Sequence, residues 1–168
     1  MPIQRRAVLL AGAATGLLAA CGGSDDHELP NIVATAQATP SLSILVEAVV
    51  AAGLVDALSA PGPLTVFAPT NDAFAALLTE LGVTKDALLA NKTLLTAVLT
   101  YHVVPGRVLR EQVPINTPIT TLQGATFTVG SNLRITDGRG RSAGIVTTDI
   151  LCENGVVHVI DRVILPPA

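Results

Sequence analysis

Three histidines, two cysteines and scattered carboxylates are the side chains of this 168-residue chain that could carry chemistry. An imidazole acts as a general base or a metal ligand only beside a carboxylate, a thiolate or another imidazole. His27, His102 and His158 lie far apart in sequence and would have to converge by folding. His158 has carboxylates nearby, Asp149 and Asp161, and could form a His–Asp pair with either. No serine stands in a strand-to-helix nucleophile elbow, since the one Gly-x-Ser-x-Gly match, Gly140-Arg141-Ser142-Ala143-Gly144, lies between two β-type runs, and no His or Cys spacing resembles a zinc site. The expectation is therefore no enzyme, no metal and no cofactor. Cys152, in an apolar stretch, reads as a small packed residue.

The remaining polar candidates sit where elements begin or end. Leu64 to Ala68 reads as a buried strand, stopped by Pro69. Thr70 or Asn71 can cap the helix that follows, with Asp72 facing the positive end of its dipole. Phe67 and Phe74 are two of only four aromatic rings, which makes Thr65 to Phe74 a hub of the core. Capping and loop hydrogen bonds explain Thr70, Asn71 and Asp72 without a ligand. Further on, Leu94, Leu95, Val98 and Leu99 recur at helical spacing and His102 continues their buried face. A buried imidazole needs a partner, so His102 is expected to bond a backbone group and fix the turn after the helix. Tyr101, at the helix end, is expected to reach the surface with its hydroxyl. Arg134, Arg139 and Arg141 surround Asp137-Gly138 as a local basic loop, solvated or facing an anionic partner.

The elements holding these residues change type midway. Helices are expected over Asn31 to Ala38, from Thr39-Pro40-Ser41 to Gly53, from Asn71 to Gly82, over Lys85 to Ala90 and from Lys92 to about His102, after which Val103-Val104-Pro105-Gly106 turns the chain. Short β-type runs follow: Pro118 to Leu122, Ala125 to Val129, Leu133 to Thr136, Gly144 to Leu151 and Val156 to Leu165. Asn154-Gly155 between the last two is a hairpin signal. One α+β domain results, its helices mainly in the N-terminal half and its strands in the C-terminal half.

The N-terminus has a different purpose. Arg5 and Arg6 precede an uncharged apolar run, Ala7 to Ala20, too short to span a membrane comfortably. This is the layout of an export signal, of the general secretory or the twin-arginine type. Leu18-Ala19-Ala20-Cys21 resembles the lipobox of bacterial lipoproteins, in which the cysteine is acylated and becomes the first residue. The expected organisation is a signal over residues 1–20, a lipidated Cys21 with a tether through residue 28, and a domain over residues 29–168. Without the signal, 8 basic residues face 13 acidic ones, a net charge of −5 that disfavours nucleic acid as a partner. With Cys21 lipidated, Cys152 is left without a disulfide partner.

Three segments carry a family resemblance: Thr65 to Phe74 (TVFAPTNDAF), Tyr101 to Gly106 (YHVVPG) and Asn154 to Pro166 (NGVVHVIDRVILP). In order and spacing they resemble the three sequence blocks of the fasciclin-like domain, over roughly Pro30 to Pro166. The resemblance implies a wedge-shaped β-sandwich with several helices packed along it, and an extracellular adhesion or binding module without enzymatic activity. It also points to Tyr101-His102 and to Asp149-Ile150 as a contact surface; the second pair matches one implicated in integrin binding in animal members, without their Glu-Pro lead-in. The expected protein is a lipid-anchored lipoprotein outside the cytoplasm, leaning to the outer membrane because Gly22 rather than Asp follows the cysteine. Its expected partner is a protein or polysaccharide, with weak self-association possible. The alternatives are a carrier for a small apolar ligand held between helices and sheet and, less favoured, an enzyme.

Overall fold

The computed structural model describes residues 29–168; the signal, Cys21 and the tether lie outside them. Helices come first, and side-chain caps start most of them. Asn31 Oδ1 accepts the Ala34 N–H at 2.8 Å and opens α1 (Ile32–Ala38). A 3-10 turn over Pro40–Leu42 leads into α2 (Ser43–Ala52), which ends on Gly53 at φ 72°, a left-handed conformation that suits glycine. α3 (Val55–Ser59) is short. After β1 (Leu64–Pro69), Thr70, Thr84 and Asn91 cap α4 (Asn71–Leu81), α5 (Lys85–Ala90) and α6 (Lys92–Tyr101) in turn. Thr70, not Asn71, is the cap of α4.

The strands that follow are β2 (Val103–Pro105), β3 (Ile119–Thr120), β4 (Thr126–Val129), β5 (Arg134–Thr136), β6 (Ser142–Cys152) and β7 (Gly155–Ile160). With β1 they form one sheet in the order β2-β1-β7-β6-β5-β4-β3. Only β1 and β7 run parallel, from Leu64↔Gly155 to Pro69↔Ile160.

This sheet folds over on itself. Phe67 on β1 and Phe127 on β4 are four strand positions apart, roughly 19 Å in a flat sheet at about 4.8 Å per strand. Their rings nevertheless meet edge to face with centroids 5.2 Å apart. The two ends approach as well, since the Leu122 N–H after β3 donates to Val103 O on the edge strand β2 at 2.8 Å. That bond covers an edge that would otherwise offer unpaired backbone. The result is a β-sandwich with helices along one side. Between the sandwich halves lies a core containing Phe67, Tyr101, Phe127, Ile135 and Ile160. A second core, containing Val66, Ala68, Phe74, Leu95 and Val157, fills the space under the helices. β1 and β7 form the wall between the two, so both of their faces are buried; this is why Leu64 to Ala68 lacks a polar alternation.

Three expectations are corrected here. Val103–Pro105 is a strand and not simply a turn: it pairs antiparallel with β1 from Val66↔Val103 to Leu64↔Pro105. The hairpin turn is Glu153-Asn154, one residue earlier than Asn-Gly suggests, and Gly155 already begins β7 opposite Cys152. Glycine is needed there for space, because a Cβ would collide with the Leu64 backbone. The last strand stops at Ile160; Val163, Ile164 and Leu165 are buried without belonging to it.

Candidate functional site

Tyr101 and His102 do not form a contact surface. Tyr101 ends α6 fully buried, its ring edge to face with Phe127 at 6.0 Å. Its hydroxyl donates to Thr126 O at 2.7 Å and accepts the Gly138 N–H at 2.9 Å. The predicted reach to solvent fails because the folded-over sheet covers the end of α6. Burial raises the phenol's pKa above its ordinary value.

His102 is buried as expected, and the backbone sets its tautomer. The Ile164 N–H donates to Nε2 at 3.1 Å, so the proton sits on Nδ1, which donates to Val98 O at 2.7 Å. Desolvation by burial pushes its pKa down to about 4, against the raising effects of the Val98 bond and of Asp137. The imidazole is neutral and pins the C-terminal segment to α6.

His158 and Asp149 meet, but not as a catalytic pair. The Asp149 backbone N–H donates to His158 Nδ1 at 3.3 Å, and His158 Nε2 donates to Val108 O at 2.9 Å. The Asp149 carboxylate turns away and accepts the Arg110 N–H at 2.7 Å, while that of Asp161 accepts the Gly144 N–H at 2.7 Å. Among the described residues neither imidazole faces a carboxylate within bonding distance, and no cluster of three His, Cys, Asp or Glu has the arrangement of a metal site. Cys152 is buried beside the Thr35 hydroxyl, 3.2 Å away, and burial raises its pKa, away from the thiolate.

Asp149-Ile150 does lie at the surface, on an irregular piece of strand. Between Thr147↔Val159 and Ile150↔Val157, β6 advances three residues while β7 advances two. The extra residue makes a β-bulge, and Asp149 takes φ 58° to form it. Aspartate tolerates this left-handed conformation better than most side chains. Along this part of β6, Asp149, Val146 (63% exposed) and Leu151 are exposed, with Ile150 half-buried against the helix-side core.

The other motif residues serve the fold. Thr65 Oγ1 donates to Gly106 O at 2.7 Å and accepts the Val108 N–H at 2.8 Å. Asn71 ties α4 to the start of α2: its Nδ2 donates to Pro40 O at 3.1 Å and to Ser43 Oγ at 3.0 Å, and its Oδ1 accepts the Ile44 N–H at 3.0 Å. Asn154 joins three elements, accepting the Ile32 N–H at 3.0 Å and donating to Leu58 O at 2.6 Å and Ala60 O at 3.1 Å.

Two features escaped the reading of the sequence. Asp137 is buried, and its carboxylate accepts the N–H groups of Arg139 (2.9 Å), Arg141 (2.8 Å) and Leu165 (3.0 Å). Its arginine neighbours are not a free basic patch: the Arg139 guanidinium donates to Pro166 O at 3.1 Å, and that of Arg141 lies 2.8 Å from Glu80. The Asp-Gly pair signalled a turn but not its burial. The second feature is an apolar cleft among α1, α2 and α3, lined by no charged residue. Its void volume is about 50 Å³, well below the roughly 150 Å³ that accommodates benzene in a protein core. A carrier that encloses its ligand is not what this cleft fits. The signal in sequence was α2, SILVEAVVAA, apolar around most of its circumference.

Comparisons with known proteins agree with this geometry. The family model described as the Fasciclin domain matches residues 40–166. The chain is 48% identical over 139 residues to protein sll1483 of Synechocystis sp., covering 81% of this chain and 73% of the relative. It is 40% identical over 116 residues to the cell surface glycolipoprotein MPB83 of Mycobacterium bovis, covering 68% of this chain but only 49% of that protein. Its fold resembles that of a FAS1 domain pair from the insect cell adhesion molecule Fasciclin I, with TM-score 0.58 and 22% identity over 74% of this chain and 45% of that one. A family model over residues 40–166, on a sandwich that places all three sequence blocks in its two cores, shows that this chain belongs to the fasciclin-domain family.

Proposed function

We propose that this chain is a membrane-anchored binding module of the adhesion type, working outside the cytoplasm through surface contact with a protein or polysaccharide. The observation that carries this reading is the employment of its chemically capable core residues. Tyr101, His102, Asp137 and His158 are each bonded to backbone groups that hold the fold, which leaves recognition to the surface. The names of two similar proteins, a cell surface glycolipoprotein and a cell adhesion molecule, support the location and the role. The contact surface on this reading is the bulged part of β6, where Val146, Asp149 and Leu151 are exposed.

Two experiments test it. In membrane fractionation, wild-type chain is expected in the membrane pellet and a Cys21→Ser variant in the soluble fraction; unchanged fractionation removes the lipid anchor. In pull-downs against isolated envelope polysaccharide and envelope protein extract, a Val146→Lys, Leu151→Lys variant is expected to recover less partner than wild type. Equal recovery removes the bulge as the contact surface.

A further inference from the structure

We propose that the face formed by α1, α2 and α3 is a membrane-docking surface, with the acyl region of the anchoring bilayer covering its apolar cleft. Its lining carries no charge, and its two polar members are already bonded. The Thr100 hydroxyl donates to Thr96 O at 2.7 Å, and both nitrogens of His102 have backbone partners. The cleft is open: Val50 on α2 is 60% exposed and Leu122 at its rim 48%. The single charged residue of α2, Glu47, pairs with Lys85 of α5 at 2.7 Å and does not line the cleft. A helix apolar on nearly all sides belongs in a core or against lipid, and α2 is covered on only part of its circumference. With a void of about 50 Å³, the surface is suited to being covered more than to enclosing a ligand.

The chain before the domain selects the bilayer as the cover. Where the described residues begin, Pro30 O accepts the Glu153 N–H at 3.1 Å and the Ile32 N–H is held by Asn154, which fixes that end of the chain beside the cleft that Ile32 and Val33 help to line. The seven residues from 22 to 28 reach at most roughly 25 Å at about 3.4 Å each. A lipid on Cys21 therefore keeps this face close to the membrane. The inference rests on the anchor proposed above. The acidic balance of the chain gives no attraction to anionic lipid, so the contact depends on apolar burial.

The chain contains no tryptophan, so one introduced indole reports a single position. Three variants of the lipidated protein, Val50→Trp, Leu122→Trp and, as a control in the exposed β4–β5 turn, Ser131→Trp, are reconstituted in phosphatidylcholine vesicles with and without lipid brominated at mid-chain. All three are expected to float with the vesicles. Bromine should quench the indoles at 50 and 122, with blue-shifted emission, and leave the one at 131 unaffected. Flotation without quenching at 50 and 122 overturns the docking face and spares the anchor. Failure to float overturns both. A blue shift at 50 and 122 that grows with protein concentration in the absence of lipid also overturns it, assigning the face to a second copy of the chain.

Discussion

Both nitrogens of His102 face groups of fixed polarity: Val98 O can only accept and the Ile164 N–H can only donate. A protonated ring would lose the second bond and bury a charge, with Asp137 as electrostatic support. Burial therefore holds the folded pKa near 4, below the ordinary 6.5 that applies to the unfolded chain. While both states are neutral, above pH 6.5, this stabilisation is fully present. As pH falls from 6.5 toward 4, the unfolded chain takes up a proton that the folded chain refuses, and stability declines by about 1.4 kcal/mol per pH unit. The loss attributable to this residue is about 3 kcal/mol by pH 4. Urea unfolding at pH 7, 5.5 and 4.5 measures it, with a His102→Asn variant as reference. Wild type should lose more stability on acidification than the variant, even though the variant starts lower. Parallel pH profiles would show that His102 does not set the dependence.

At the scale of elements, Asn154 shows how one side chain can unite segments that a local reading keeps apart. Its side-chain amide bonds α1 at Ile32, α3 at Leu58 and the link to β1 at Ala60, while its backbone carbonyl accepts the Leu64 N–H at 3.0 Å. Asn154→Ala deletes three side-chain bonds and leaves buried backbone groups unpaired, at roughly 1–3 kcal/mol for each such group. The expected loss is a few kcal/mol, with hydrogen exchange accelerating first at the Ile32 amide; unaltered exchange there would separate the hairpin from α1. The sequence suggested a turn at Asn154-Gly155 because that dipeptide favours one, but the long-range demands on both residues left no local trace. Helices were more legible. Their starts depend on a cap and the following turn, which are neighbours in sequence, as Asn31, Thr70, Thr84 and Asn91 show. β2 was not, since three residues ending in Pro105 carry no alternation and owe their strand conformation to β1. Tyr101 was misplaced for the same reason: the strand carbonyl that its hydroxyl meets lies 25 residues away.

For the whole molecule, the decisive feature is that one wall serves two cores. Along β1, Val66 and Ala68 belong to the core under the helices and Phe67 to the core of the sandwich. Phe67 touches Phe127 from the opposite side of the fold and lies 5.3 Å from the His158 ring, so it fixes how far the sheet bends over. A helix layer and a sandwich that merely adjoined could lose stability separately. Here, displacing β1 disturbs both cores, because the same backbone presents both sets of side chains. Phe67→Ala should cost about 3–5 kcal/mol, as large-to-small changes of buried aromatics do. The loss should be global although the deleted ring lies in the sandwich core alone. Hydrogen exchange under native conditions reads this directly: the slowest amides of α4, which packs on the helix side, and of β4, on the sandwich side, should lose protection by the same amount. A loss confined to β4 would show that the two cores open independently, with β1 and β7 a passive partition. An equal loss would make the fold a single cooperative unit, rigid enough to present the β6 bulge and the α1–α3 face in fixed relation to each other.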